Sequence, residues 1–278
     1  MADAIKTIAD HVRKAREPGV LAILAYGSCL RDKTSEGLID LYVLTDSPWT
    51  VSRNRLASGL CYLLPPNVYY FETKLGPALL RAKVAIMPLA QFAKRAHYRT
   101  KNPYIWARFS QPCEIIYARN VDARAEVKSA LEQARASLWR NVVEVSHKGE
   151  TALEALTRLL RMSYATELRP EDENRARKII TTDKAYYQEQ AELYLGRNWI
   201  SDNKRPKAWA LRKFWGRVLS LGRLIKAAFT FQGGADYMAW KIARHSGVQL
   251  EIKPWQRRHP VLGTLALLPQ ILRQKAIR

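Results

Sequence analysis

The sequence has few cysteines and no long apolar segment, and these shortages exclude several classes of protein. Its three cysteines, Cys29, Cys61 and Cys113, stand apart without the spacing of a zinc site or a redox pair. They imply neither a disulfide framework nor a zinc centre, and they fit a reducing compartment. The five histidines also lack metal-ligand spacing. No run of about 18 apolar residues occurs, so the sequence predicts no membrane-spanning helix.

Acidic residues are also scarce, and the excess of positive charge is uneven. The chain has 46 Lys and Arg against 25 Asp and Glu, a net charge of +21. Residues 204–278 hold 16 basic and two acidic side chains, a net charge of +14. The first 203 residues hold the other 30 basic and 23 acidic side chains, a net charge of +7. So basic a C-terminal region favours a polyanionic partner, either a nucleic acid or an anionic bilayer.

Length and composition indicate a folded chain with room for more than one domain. It has 278 residues, 47% of them hydrophobic and 26% charged. The first residues mix acidic and basic side chains, which favours an amphipathic helix over residues 1–16 rather than a signal or transit peptide. We predict an α/β (α+β) domain with a mixed sheet over residues 1–120. A helical domain, for which a winged helix is one form to consider, follows over 121–203, and a basic amphipathic region over 204–278.

The most informative stretch lies in the first domain, between two predicted strands at residues 20–26 and 38–45. The first apolar run ends in Gly27 and Ser28, and the second carries Asp40. Glycine lets the backbone approach a phosphate closely, and a serine beside it can hold phosphate oxygens. A carboxylate on the adjacent strand can hold a divalent cation against the same oxygens.

This arrangement resembles the nucleotidyltransferase superfamily of DNA polymerase β, marked by Gly-Ser followed by Asp-x-Asp on a strand. Asp40 stands at the second aspartate of that pattern, and Leu38 stands at the first. The alternative interpretation is an ordinary strand turn with a solvated aspartate. We favour the site because strands rarely bury an isolated aspartate without a partner.

Further segments resemble one family, the mitochondrial-type phosphatidate cytidylyltransferases, which also have an apolar residue at the position of Leu38. The similarity runs from residue 20 to residue 190, and the departures from the family pattern are Cys29, Thr50 and Glu167. The matching segments, in chain order, are Ala25–Ser28 with Leu38–Asp40, Asp46–Trp49 with Asn54, Val68–Phe71, Leu80–Ile86, Tyr104–Pro112, and Ser163–Arg169 with Asn174, Lys178 and Ile179.

The resemblance implies an enzyme that makes CDP-diacylglycerol and pyrophosphate from CTP and phosphatidic acid, with Mg²⁺ or Mn²⁺. It implies catalytic roles for Asp40, Lys83 and Glu167, although Lys83 could also be a strand lysine that extends to solvent. Asp40 and Glu72 are the expected metal ligands, with Glu167 as the other candidate for the second ligand and Asp46 as the third. The expected nucleotide-binding residues are Tyr26, Gly27, Ser28, Arg108, Arg169 and Lys178.

The basic tail contains a predicted amphipathic helix between residues 206 and 229. Apolar and aromatic side chains share one broad face, basic residues occupy the rest, and no acidic residue occurs there. This pattern is typical of a helix in an anionic lipid interface, while a core-packing helix with a solvated basic face is the alternative. The expected apolar face comprises Leu211, Phe214, Trp215, Val218, Leu221, Leu224, Ile225 and Phe229.

We therefore expect a peripheral membrane protein at the cytoplasmic face of a bacterial inner membrane, or at the matrix face of a mitochondrial one. A nucleotidyltransferase acting on RNA is a second hypothesis, because basic residues interleaved with aromatics also suit nucleic acid. The segregation of apolar and basic faces favours lipid over RNA. A third hypothesis, based on Leu38, is an inactive regulator that binds nucleotide or membrane.

Overall fold

The computed structural model describes residues 1–34, 37–52, 54–167, 173–202, 209–231, 233–246 and 252–258. The strands in these ranges are β1 (Val20–Tyr26), β2 (Leu38–Thr45), β3 (Asn67–Leu75), β4 (Ala78–Pro88) and β5 (Glu114–Ala118). The helices are α1 (Ala2–Arg16), α2 (Ser28–Arg31), α3 (Arg55–Leu63), α4 (Leu89–Ala96), α5 (Tyr104–Phe109), α6 (Val121–Val145), α7 (Ala152–Tyr164), α8 (Glu173–Thr182), α9 (Lys184–Leu195), α10 (Ala210–Thr230), α11 (Gly234–Ser246) and α12 (Pro254–Arg258). No helix in these ranges combines the length and apolar character needed to cross a membrane.

The chain divides into two compact units that each draw on separate segments. The first unit comprises Met1–Pro88, Glu114–Arg119 and Arg223–Arg278. The second unit comprises Leu89–Cys113 and Asn120–Gly222. The predicted boundaries at residues 120 and 203 cut the chain into consecutive segments, whereas each compact unit combines separate segments. These boundaries stay a prediction.

The first unit is built on a mixed five-stranded sheet within the described residues. Its strand order is β3-β4-β2-β1-β5. The pairing of β2 with β4 is parallel and the other pairings are antiparallel. Apolar side chains such as Leu24, Leu41 and Val84 are fully buried, and α1 packs on the sheet through Ile5 and Ile8. The predicted α/β class with a mixed sheet is confirmed, as are the two predicted strands around Gly27.

One predicted helix of the first unit is shorter than expected. The sequence predicts a helix from Trp49 to Leu64, but the structure has a single 3₁₀ turn at Pro48–Thr50 and begins α3 at Arg55. The side chain of Asn54 accepts hydrogen bonds from the backbone N–H groups of the first turn of α3. An asparagine in this position is a strong helix start, so the helix begins there.

The second unit is helical in its described residues. α6 packs against α4, α5 and α7, and α7 begins with a capping box formed by Thr151 and Glu154. The sequence predicts a turn over Tyr104–Phe109, but the structure forms α5 there. The side chain of Asn102 accepts a hydrogen bond from the backbone N–H of Tyr104, and Trp106 is fully buried, so a hydrogen bond before the helix and a core contact stabilise this short helix.

Candidate active site and an exposed helix

One row of side chains crosses four neighbouring strands of the first unit. Tyr26 of β1 pairs with Asp40 of β2, and Asp40 pairs in turn with Lys83 of β4. Lys83 pairs with Tyr70 of β3. Because directly paired residues point to the same face of a sheet, all four side chains belong to one face. The structure therefore brings the predicted Tyr26, Asp40 and Lys83 together and adds Tyr70, which the sequence did not single out.

Gly27 forms the turn between β1 and α2 and packs against the carboxylate of Asp40. Its φ of 88° lies in the left-handed region that favours glycine. A Cβ atom added to Gly27 would stand 2.7 Å from Oδ2 of Asp40. Ser28, the next residue, is exposed. The turn thus presents bare backbone and a hydroxyl beside an acidic side chain, which are the groups that hold a phosphate and its counter-ion.

The thiol of Cys29 indicates two charged neighbours of this turn. It is buried and donates a hydrogen bond to the carbonyl of Leu38 at 3.2 Å. Burial is the main reason that the pKa of this thiol is raised, the charge of Asp40 raises it further, and Arg244 opposes the rise. Because charge effects weaken with distance, Asp40 and Arg244 both lie in the neighbourhood of Cys29.

Arg244 reaches this neighbourhood from α11 by passing over a second glycine. Gly37 precedes β2 and has a φ of 126°, again in the left-handed region. A Cβ atom added to Gly37 would stand 2.9 Å from Nη1 of Arg244. Nothing in the sequence singles out Arg244, because Gly37 and Arg244 are far apart in the chain and no local pattern connects them.

Aromatic side chains of α11 and β3 lie beside the row of site residues. The ring of Trp240 has the guanidinium of Arg81 at 5.9 Å and that of Arg244 at 5.4 Å from its centroid. The rings of Tyr70 and Tyr237 lie 5.8 Å apart. Contacts between guanidinium groups and an indole are attractive, so Trp240 helps to hold both arginines in place.

Glu72, an expected metal ligand, is engaged by neighbouring side chains. It accepts a hydrogen bond from the Tyr70 hydroxyl at 2.7 Å and one from Nε of Arg81 at 3.1 Å. Burial is the largest cause that raises the pKa of the Tyr70 hydroxyl, and its hydrogen bond to Glu72 is the second. Glu72 pairs with Arg81 and so stands two residues from the row of Asp40, on a strand separated from β2 by β4. Joint metal binding by Asp40 and Glu72 stays a prediction.

The chemistry of the Gly27 turn fits a hard cation such as Mg²⁺. No cluster of three or more His, Cys, Asp or Glu side chains suited to a metal occurs in the described ranges. Mg²⁺ does not need such a cluster, because it is often held by one or two carboxylates together with substrate phosphates and water. Asp40, beside exposed backbone at Gly27, is the carboxylate that would hold it.

The further candidate Asp46 lies away from this turn. It follows β2 at the end opposite Asp40, about 20 Å away at the usual rise of a strand. Its carboxylate pairs with Arg119 at 3.1 Å and accepts a hydrogen bond from the Thr50 hydroxyl at 2.8 Å. Asp46 is therefore too far from Asp40 to share an ion with it, and its carboxylate is engaged by Arg119 and Thr50.

The second unit holds the predicted catalytic residue Glu167 and the predicted nucleotide-binding residue Arg108. Oε1 of Glu167 and Nη2 of Arg108 are 3.4 Å apart, and each side chain is 21% exposed. The guanidinium of Arg108 also lies 4.1 Å from the ring centroid of Tyr104. The sequence separates this pair by a long stretch of chain, and the packing of the unit brings the two side chains together.

Of the other two predicted nucleotide-binding residues beyond α7, the structure describes one. Lys178 is exposed on α8. Arg169 lies outside the described residues. The predicted site residues are therefore divided, with Tyr26, Gly27, Ser28, Asp40, Glu72 and Lys83 in the first unit and Arg108, Glu167 and Lys178 in the second.

Helix α10 exposes the apolar face that the sequence predicts. Leu211 is 67% exposed, Phe214 59% and Leu224 63%. Of the other residues expected on this face, the side chain of Phe229 is outside the described part of the structure. The exposed members of the apolar face are Leu211, Phe214, Trp215, Val218, Leu221, Leu224 and Ile225.

Several basic side chains of α10 bind the protein instead of facing solvent. In the second unit, Arg212 donates to Oδ1 of Asn141 at 3.0 Å. In the first unit, Arg223 donates to the carbonyl of Pro65 at 2.9 Å, and Lys226 donates to that of Pro66 at 2.6 Å. Lys226 is only 5% exposed, and burial lowers its pKa to about 8. The helix thus places part of its charge against protein and its apolar side chains toward solvent.

The known proteins offer little guidance to this chain. No family model matches it, and no curated protein matches it. A solved structure that resembles it is described as a nucleotidyltransferase-like protein from Exiguobacterium sibiricum 255-15. The two share 14% identity over 100% of this chain and 93% of that chain, with a TM-score of 0.30. So low a score carries no functional argument, and the function must be inferred from the residues themselves.

Proposed function

We propose that this chain is a nucleotidyltransferase that transfers CMP from CTP to phosphatidic acid and releases pyrophosphate at a membrane surface. The observation that carries the transferase part is the contact between the backbone of Gly27 and the carboxylate of Asp40. That contact places the turn predicted to bind phosphate beside the carboxylate predicted to hold a cation. The row formed with Lys83 adds a positive charge on the same face of the sheet.

The proposed reaction needs little proton transfer. A phosphate oxygen of phosphatidic acid attacks the α-phosphorus of CTP, a new P–O bond forms, and the bond from that phosphorus to the bridging oxygen breaks. Pyrophosphate leaves with the electron pair. The attacking phosphate is already anionic, so no strong general base is required. Positioning and neutralisation of charge supply most of the catalysis in transfers of this kind.

The residues of the first unit would divide these tasks. The backbone at Gly27 and the hydroxyl of Ser28 would bind terminal phosphates of CTP, and Tyr26 would support the turn. Asp40 would hold Mg²⁺, which would neutralise phosphate charge when bound. Lys83 would neutralise charge that develops on the leaving group. Glu72, engaged by Arg81, would act as a second ligand only after releasing that contact.

The roles that we propose for residues of the second unit come from the family resemblance. Arg108 would bind a substrate phosphate, and Glu167 would hold its guanidinium in position, as their separation of 3.4 Å supports. Arg169 and Lys178 would contact either substrate.

The exposed face of α10 supports a lipid substrate over RNA. Seven large apolar side chains at solvent form a surface that suits the interfacial region of a bilayer, with Lys213 and Arg217 exposed to meet anionic headgroups. A nucleic-acid surface would instead need its basic side chains free for phosphates. In α10, Arg212, Arg223 and Lys226 are occupied by protein acceptors. We therefore propose peripheral membrane attachment.

The proposed function predicts that Asp40→Asn abolishes transfer. Purified protein would be incubated with CTP, Mg²⁺ and phosphatidic acid in mixed micelles, and the release of pyrophosphate would be measured. We expect a decrease on the order of 1000-fold for Asp40→Asn, because an uncharged amide holds the cation poorly. The matched control is Asp202→Asn, an exposed aspartate of the second unit, which should keep full activity.

Other outcomes would direct the function elsewhere. Pyrophosphate release that needs RNA ends instead of phosphatidic acid, and that is lost in Asp40→Asn, would support the RNA hypothesis. Binding of CTP without turnover on either acceptor would support the regulator. Equal activity of wild type and Asp40→Asn would remove Asp40 from the mechanism.

A further inference from the structure

Helix α11 brings a guanidinium to Gly37, three residues before Asp40 in the chain. Nη1 of Arg244 would stand 2.9 Å from a Cβ atom added to Gly37. Arg244 also lowers the pKa of the Cys29 thiol, whose pKa the charge of Asp40 raises. Both observations place Arg244 near the segments that carry the proposed site, and neither the motif nor the family resemblance assigns it a role.

This guanidinium lies against a residue without a side chain. Gly37 stands just before β2 with a φ of 126°, so its backbone is turned in a way that other residues rarely adopt. A Cβ atom at this position would press on the flexible tip of Arg244, which would have to shift. Glycine therefore leaves the guanidinium undisturbed in its present position.

Arg244 is supported along its length but remains open to a ligand. Its guanidinium carbon lies 5.4 Å from the ring centroid of Trp240, which also holds Arg81 at 5.9 Å. Contact with an indole orients a guanidinium and leaves its N–H donors available at the edges of the plane. Arg244 is exposed, so its N–H donors can exchange water for an anion.

We propose that Arg244 is a phosphate-binding residue of the nucleotide site, contributed by α11 to the turn formed by Gly27 and Ser28. The inference rests on the proposed function and deepens it. A triphosphate brings several negative charges to a site where Asp40 is itself acidic, and one Mg²⁺ neutralises only part of that charge. A guanidinium meets phosphate oxygens with two parallel donors, so Arg244 suits the terminal phosphates of the nucleotide.

If Arg244 binds phosphate, Trp240 is a positioning residue for its guanidinium. It does not need to touch the nucleotide, because its ring holds Arg244 and Arg81 together. Trp240→Phe keeps an aromatic face and should retain most of the affinity for CTP. Trp240→Ala removes the face and should weaken CTP binding in the same direction as the loss of Arg244, by about tenfold or less.

The test is calorimetric titration with CTP and with CMP, each in the presence of Mg²⁺. Wild type would be compared with Arg244→Ala and Arg244→Lys, and with Lys74→Ala as a control that removes one exposed positive charge from the same unit. We expect Arg244→Ala to weaken CTP binding by about 10- to 100-fold. CMP, which lacks the terminal phosphates, should lose about threefold or less, and lysine should restore part of the CTP affinity.

The ratio of the two losses separates phosphate binding from a structural role. Thermal unfolding of Arg244→Ala should remain close to that of wild type, because the side chain is exposed. Equal losses for CTP and CMP, or a loss shared by Lys74→Ala, would overturn the proposal. Unchanged CTP affinity in Arg244→Ala with weakened binding in Asp40→Asn would also overturn it while keeping the proposed function. If wild type bound neither nucleotide, the proposed function itself would fail and the role of Arg244 with it.

Discussion

Helices α7 and α10 have the same kind of amphipathic sequence, but the apolar face is buried in α7 and exposed in α10. In α7, Leu156, Leu159 and Leu160 recur at helical spacing and are at most 1% exposed. In α10, residues with the same spacing are exposed, with Leu221 at 50% and Leu224 at 63%. Periodicity therefore shows which side chains share a face, but it does not show which face meets the protein.

The contacts of α10 in the first unit explain its orientation there. The carbonyls of Leu64, Pro65 and Pro66 follow the end of α3, where carbonyl groups lack helical donors. The two prolines supply no N–H group of their own. Arg223 and Lys226 donate to these carbonyls, and Lys226 is buried in doing so. A local need for donors thus draws Arg223 and Lys226 toward the protein, while Leu224 and Ile225 of the same stretch remain at solvent.

The largest predicted difference between the two helices concerns stability. Leu159→Ala in α7 should lower the free energy of unfolding by about 2–5 kcal/mol, because it leaves a cavity in a packed core. Leu221→Ala in α10 should change it by about 0.5 kcal/mol or less, because half of that side chain is already at solvent. Denaturation with urea measures both values. Similar losses for the two variants would mean that Leu221 is packed against protein.

The second prediction concerns the exposed face of α10. The double variant Leu221→Ser and Leu224→Ser should weaken binding to phosphatidic acid vesicles by about tenfold or more, because each leucine would lose the apolar burial that the bilayer provides. Sedimentation with the vesicles measures the bound fraction. The matched control is Leu193→Ser, which changes a leucine that is 70% exposed on α9. Undiminished binding by the double variant would show that α10 does not contact lipid.

The third prediction is a pH dependence of stability that is due to Lys226. Burial lowers its pKa to about 8 from an ordinary value of 10.5, with Cys61 opposing and Arg223 adding to that shift. Between these two pH values the folded chain binds fewer protons than the unfolded chain, so the free energy of unfolding should rise with pH. This stabilising contribution is complete above pH 10.5 and is lost as the pH falls through 8.

Removal of Lys226 isolates this effect. In Lys226→Met the slope of unfolding free energy against pH should be lower than in wild type between these pH values, by up to about 1.4 kcal/mol per pH unit. Lys213→Met, which removes an exposed lysine of the same helix, should keep the wild-type slope. Urea titrations at several pH values provide the slopes. Equal slopes for Lys226→Met and wild type would indicate that Lys226 keeps an ordinary pKa.

Some residues of the candidate site could be predicted from the sequence and others could not. Gly27, Ser28 and Asp40 could be predicted from the sequence, because a turn between two strands places them together through neighbouring segments. Arg244 and Trp240 could not, since they lie on a helix that is far from Gly37 in the chain. No spacing or composition distinguishes them from the other basic and aromatic residues of the tail.

The sequence by itself determined the strands around Gly27, the mixed α/β class and the apolar face of α10. These depend on local backbone preferences and on periodicity, which short segments carry by themselves. Tertiary structure decided that α10 turns its apolar side outward, that Arg244 meets Gly37, and that Arg108 meets Glu167. Each of these contacts joins residues distant in the chain, so it depends on how packed segments satisfy hydrogen bonds and charges in three dimensions.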